Sequence, residues 1–201
     1  NICTKAQLET GNVCGAGTTG PGQGQFGAWA FSSFIAIGPS NTVYVGDNNR
    51  IEQFNPDGTF NSEIELPGAG SVESLAVDPA GDLYVASEQS LVPGIRKLSP
   101  SGTVLNTITK AINGKGEPVM IAPTALATDS SGNLYEVDGQ SGESPPEVFK
   151  FDASGEQKAS FGENEFTGST GIGTNTAGDV YVTNFTPADS YVRAYGPLPT
   201  K

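Results

Sequence analysis

The 201 residues include no histidine, one methionine, one tryptophan and two cysteines, and 10 basic residues stand against 22 acidic ones. Without histidine the chain has no Ser-His-Asp or Cys-His constellation, and it lacks the commonest general base and imidazole metal ligand. The net charge of -12 repels phosphate backbones and anionic lipid surfaces, which argues against nucleic-acid binding and polybasic membrane attachment. No apolar run nears the roughly 20 residues that span a bilayer, so membrane insertion is not expected. Phosphate-cradling glycine motifs need a strand running into a helix, and no stretch here has the period of a three-turn amphipathic helix. The chain opens at Asn1 with neither an initiating methionine nor a signal-peptide pattern, and is expected to be a processed mature chain or part of a longer one. Cys3 and Cys14 lack the further ligands of a zinc site. A local disulfide in an oxidising compartment is the expectation, against the alternative of two buried thiols.

What the chain has in quantity is punctuation: 27 glycines and 14 prolines, which suits many short strands joined by turns. One phrase recurs four times without insertion, as IAIGPSNTVYV, LAVDPAGDLYV, LATDSSGNLYEV and IGTNTAGDVYV, closing around Tyr44, Tyr84, Tyr135 and Tyr181. Nine residues before each tyrosine stands Ile35, Leu75, Leu126 or Ile172, and eight before stands Ala36, Ala76, Ala127 or Gly173. Apolar residues on either side of a polar, glycine-bearing turn predict a β-hairpin. The third turn position, Asn41, Gly81, Gly132 or Gly178, calls for a left-handed backbone. Asp78, Asp129 and Asn175 precede the turns as Asx-turn acceptors rather than metal ligands.

After each tyrosine comes a second pattern: Ile51 to Phe54, Ile95 to Leu98, Val148 to Phe151 and Val192 to Tyr195. In three copies a further turn follows, Pro56-Asp57-Gly58, Pro100-Ser101-Gly102 or Ala153-Ser154-Gly155, and then a fourth strand. Each unit is thus an antiparallel four-stranded meander of roughly 40 to 50 residues, the pattern of a propeller blade. The expected fold class is all-β, a β-propeller of about four blades at 26–66, 67–110, 111–161 and 162–201, preceded by a connector at 1–25. It forms either an arc of a larger propeller or a small ring closed by its own N-terminal segment.

The stretch VYVGDNNRIEQFNPDGTF with LAVDPAGDLYV resembles the NHL-repeat family of β-propellers over about residues 26 to 196, and CTKAQLETGNVCGAGTTGPGQGQF is similar to a connector in secreted or surface-attached bacterial members. The resemblance implies a propeller, most often of six blades. It implies no histidine-liganded lyase site, since those ligands have no counterpart here.

Oxygen ligands remain. Three residues beyond the tyrosines lie Asp47, Ser87, Asp138 and Asn184, with Asn48, Asn49 and Glu88 adjacent. Asp47, Asp138 and Asn184 are the candidates for a calcium cage at the ring centre, as in propeller lactonases; the competing reading makes them ordinary turn formers. The tyrosines are read as packing between blades rather than as a sugar platform, and Trp29 as buried beside the first blade rather than as an exposed anchor. The distance from tyrosine to the end of the third-strand motif varies, at 10, 14, 16 and 14 residues, while the hairpin turns keep their length. Variable loops on a rigid scaffold carry binding residues. The expected ligand contacts are therefore Asp47, Asn49, Arg50, Glu88, Asp138 and Glu143, in an extracellular or cell-surface module without cofactor that takes a protein or carbohydrate partner. The alternative is a calcium-dependent hydrolase or lyase.

Overall fold

A computed structural model of the chain describes residues 20, 22–26, 34–68, 70–87, 94–139, 146–166, 169–185 and 190–196. Blade one consists of β1 (Phe34–Ile37), β2 (Val43–Asp47), β3 (Arg50–Phe54) and β4 (Phe60–Glu65). Blade two has β5 (Val72–Val77), β6 (Leu83–Ser87), β7 (Ile95–Leu98) and β8 (Val104–Ile108). A small hairpin, β9 (Lys110–Ile112) and β10 (Pro118–Met120), stands before blade three, which has β11 (Pro123–Thr128), β12 (Leu134–Asp138), β13 (Glu147–Phe151) and β14 (Gln157–Phe161). Blade four has β15 (Ser169–Thr174), β16 (Val180–Phe185) and β17 (Ser190–Tyr195). Every sheet is a sequential antiparallel meander. The first strands lie side by side, β1 against β5, β5 against β11 and β11 against β15, so the four blades are set around a common axis as a β-propeller. No helix among the described residues is long and apolar enough to cross a membrane.

The register explains the recurring phrase. Tyr44 pairs with Ala36, Tyr84 with Ala76, Tyr135 with Ala127 and Tyr181 with Gly173. Directly opposed residues in an antiparallel pair share a face, so the small residue leaves room for the ring. The ring faces the next blade: Tyr44 packs with Leu75 and Val77, Tyr84 with Leu126 and Phe149, and Tyr135 with Val180 and Val182. All three are buried. Tyr181 departs from that expectation, with 39% of its surface exposed. It lies on the face that would meet a following blade, and Phe185 and Val192 on the same side are exposed with it. At the other end Ile35 and Ile37 of β1 are exposed too.

The turns behave as their sequence requires. Gly81, Gly132 and Gly178 all have φ between 79° and 90°, and Asn41 has φ 60°. Asp78 Oδ1 accepts from the N–H groups of Ala80 and Asp82 at 2.9 and 3.0 Å; Asp129 does the same for Ser131 and Asn133, and Asn175 for Ala177 and Asp179. Blade one has Gly38 at that place, with no side-chain acceptor, and its turn tightens into a short 3-10 segment, Pro39–Asn41.

Side chains also stitch one blade to the next. Ser74 Oγ accepts from the Leu126 N–H at 2.9 Å, while the Thr128 hydroxyl donates to the Val77 carbonyl and the Thr174 hydroxyl to the Thr128 carbonyl, each at 2.7 Å. Farther from the axis, Gln53 donates to the Pro100 carbonyl at 3.1 Å and Lys97, at the equivalent third-strand place, to the Ala153 carbonyl at 3.0 Å. These bonds satisfy turn carbonyls that interblade packing would otherwise leave short of partners. The stretch between blades two and three folds in part into the β9–β10 hairpin, whose turn is built on Asn113: its Oδ1 accepts from the N–H groups of Lys115 and Glu117.

Candidate functional site

The face opposite the uniform hairpin turns is formed by the second-to-third connections and the links between blades. In blade one the connection is a two-residue turn, Asn48-Asn49, between the paired residues Asp47 and Arg50. Asn48 takes the left-handed backbone, φ 49°. Its carbonyl accepts from the Val72 N–H and that of Asn49 from Leu66, so the turn is tied into the start of blade two. Arg50 is almost wholly buried and reaches three carboxylates: Asp47 at 3.1 Å, Glu52 at 3.0 Å and Glu63 at 3.0 Å. It also donates to the Gln25 carbonyl at 2.5 Å. Phe26 lies 6.1 Å from Phe54, so residues 22–26 are fastened across blade one by a guanidinium and an aromatic contact. Burial raises the Glu52 carboxyl above its ordinary value, and the Arg50 charge draws it back.

In blade three the corresponding pair is Asp138 and Glu147. Both are buried. Asp138 Oδ1 accepts from the Ala122 N–H at 2.5 Å, and Glu147 Oε2 from the Gly114 N–H at 3.1 Å. Asn184, at the same place in blade four, is buried and pairs with Tyr191 across β16 and β17. Glu88 and Glu143 lie outside the described residues, as do Cys3, Cys14 and Trp29. Asp47, Asn49 and Arg50 thus come together in one turn, while Asp138 belongs to another blade.

Asp47, Asp138 and Asn184, the calcium candidates, take the same place on three blades. Asp47 is engaged by Arg50 and Asp138 by the Ala122 N–H, and no group of three or more acidic, cysteine or histidine residues able to hold a metal forms among the described residues. The opposite face carries an open hollow of about 410 Å³ between the inner turns of blades one to three, walled by Ile37, Pro39, Val77, Pro79, Thr128 and Ser130. Its two acids, Asp78 and Asp129, are occupied in the Asx turns, and Asp78 also meets Lys97 at 3.3 Å.

No family model matches the chain. Among curated proteins it is similar to Teneurin-3 of Danio rerio, 27% identical over 153 residues, and to Teneurin-3 of Mus musculus, 26% identical over 170. Those stretches cover 66% and 71% of this chain, and the chain spans 6% of each relative. Among solved structures it resembles a gluconolactonase from Xanthomonas campestris, with TM-score 0.59, 14% identity and coverage of 82% of this chain and 58% of that one. A nidogen/laminin complex gives TM-score 0.56 at 18% identity, covering 77% and 57%. The chain is a β-propeller. At these identities the likeness carries the fold alone, and the arrangement of side chains has to carry any function.

One feature of the site escaped the sequence reading although a signal was present. The second strands read VYV at Val43, LYV at Leu83 and VYV at Val180, but LYE at Leu134. Glu136 therefore occupies a place that Val45, Val85 and Val182 fill in the other blades, and it is wholly buried there.

Proposed function

We infer that the chain is a non-catalytic, NHL-type binding module that presents its second-to-third loops, on an extracellular or cell-surface protein, to a protein or carbohydrate partner. The observation that carries this reading is the use already made of the polar groups on that face. Asp47, Arg50, Asp138 and Glu147 are all bonded into the scaffold, which leaves a rigid platform beneath connections of unequal length. Binding residues on such a platform sit in the loops. Asn49, Glu88 and Glu143 are the positions assigned to contact, with Asp47, Arg50 and Asp138 as the frame that aims them. The absence of histidine removes imidazole-based catalysis from this face.

The test is direct binding of the chain to an array of glycans and matrix proteins by interferometry. It is run beside a variant in which residues 88–93, 140–145 and 186–189 are replaced by glycine-serine segments of equal length. A partner bound by the parent and lost by the variant, with the unfolding midpoint unchanged, supports the reading. Partner binding that survives the replacement, or calcium-dependent lactone hydrolysis by the parent, overturns it.

A further inference from the structure

Glu136 is buried with neither carboxyl oxygen meeting a hydrogen-bond donor. On the same face of blade three, Asp138 follows two residues along β12, and Glu147 pairs with Asp138 across β13. The hairpin β9–β10 lies over this group. It is held there by the Gly114 and Ala122 N–H groups on Glu147 and Asp138, and by the Gln157 amide, which exchanges two hydrogen bonds with the Ile112 backbone at 2.6 and 2.7 Å.

The charged and titratable groups around it come from three directions. From the hairpin there are Lys115, 58% exposed at its side chain and paired with Glu163 at 3.3 Å, and Glu117, bonded by Asn113. Glu163 follows β14. From blade two come Tyr84 and Lys97, the latter engaged by Asp78 and Asp82 at 3.3 and 3.1 Å. No described cation forms an ion pair with Glu136, Asp138 or Glu147. Three carboxylates at this depth are not all ionised without a counter-charge. They do not form a metal-holding group among the described residues, and within that set the proton is the counter-charge that remains.

We propose that Glu136, Asp138 and Glu147 form a proton-loaded latch that holds the β9–β10 hairpin on blade three and loosens it as the protons leave. Burial pushes Glu136 well above the usual carboxylate range, with repulsion from Asp138 and Glu147 adding to it. Burial also pushes Asp138 up to about 6 and Glu147 up to about 7, each opposed by the backbone N–H it accepts from. A carboxyl raised in the folded state stabilises that state below its ordinary pKa, and the stability is lost as pH rises through the folded value. The latch is therefore closed in mild acid and weakens as pH climbs through about 6 and about 7. Its opening uncovers Ala111 and Ile121, which the hairpin and its link contribute to the core between blades two and three. The latch stands whether or not the neighbouring loop face binds a partner.

Hydrogen exchange on the full chain tests it. Protection of the Gly114 and Ala122 amides, corrected for intrinsic exchange and referred to Val85 in β6, is followed from about pH 5.5 to about pH 8.5. The chain is compared with Glu136→Gln and Glu147→Gln, which keep shape and lose the titrating proton. The parent's relative protection is expected to fall roughly tenfold or more, and the fall is expected to shrink several-fold in each variant. If Glu136→Gln does not fold, Glu147→Gln gives the same reading. A flat profile in the parent, or an undiminished fall in the folded variants, overturns the latch. Recovery of protection at high pH on adding millimolar calcium chloride also overturns it, by assigning the counter-charge to a metal.

Discussion

Glu52 on β3 and Glu136 on β12 are equally inaccessible to solvent and sit in different company. Each lies beside the pair that closes the second and third strands of its blade, Asp47 with Arg50 in blade one and Asp138 with Glu147 in blade three. The two acids take opposite members of the same cross-strand pair, Glu52 facing Val45 and Glu136 facing Phe149, and the residue that opens the third strand is Arg50 in one blade and Glu147 in the other. In blade one the guanidinium stands 3.0 Å from Glu52 and also serves Asp47 and Glu63. In blade three an acid replaces it, and burial acts on Glu136 with no opposing charge. Depth of burial alone does not set ionisation; it sets how much depends on the neighbour.

Removing the arginine breaks the comparison most severely. Arg50→Met leaves Asp47, Glu52 and Glu63 without their shared cation and frees the segment around Gln25 and Phe26. We expect a loss of about 3–5 kcal/mol at neutral pH, by urea unfolding, shrinking in acid as Glu52, whose carboxyl burial raises, takes up its proton. A loss equal at both pH values would place the role of Arg50 in packing rather than charge.

A matched pair sharpens it. Glu136→Gln keeps the shape of the protonated acid and is expected to gain about 1–3 kcal/mol at alkaline pH and close to nothing in mild acid. Glu52→Gln removes a charge that burial disfavours but Arg50 answers, and is expected to gain less, under about 1 kcal/mol, at the same alkaline pH. The check is the size of the two changes in chemical denaturation at one alkaline pH. Equal gains would erase the distinction between the two sites.

The smallest effect belongs to the exposed cation. Lys115 lowers the Glu147 carboxyl from a distance and is the hairpin's partner for Glu163. Lys115→Gln is expected to change stability by under about 0.5 kcal/mol, because a solvent-screened lysine contributes little. A large change in the unfolding midpoint would make the lysine, and not the proton, the counter-charge of blade three.

Much of the architecture was legible because it is written in short-range chemistry repeated four times. The Asx acceptors Asp78, Asp129 and Asn175, the left-handed Asn41, Gly81, Gly132 and Gly178, and the small residue eight before each tyrosine all concern partners close in the chain. The candidate site was less legible. Asp47 and Arg50 were singled out as ligand contacts, yet Arg50 holds Glu52, on the same strand, and the Gln25 carbonyl, 25 residues away in the chain and joined to it only by folding. Asp138 was named as a metal candidate without its buried companions. Glu136 carried a signal, the one carboxylate in an apolar place of the repeat, but the fixed spacing around it masked the change of character.

The sequence by itself determined the blade: strand order, turn type, the facing of the tyrosines and the absence of imidazole chemistry, since each follows from residue type at a fixed local spacing. Only the tertiary structure decided which carboxylates would be answered by charge. That depends on which groups reach the same buried volume: the Arg50 guanidinium in blade one, and in blade three the Gly114 and Ala122 N–H groups, with no cation paired to these acids among the described residues. In a low-dielectric interior a separation of a few ångströms decides the protonation state, and no local spacing encodes it.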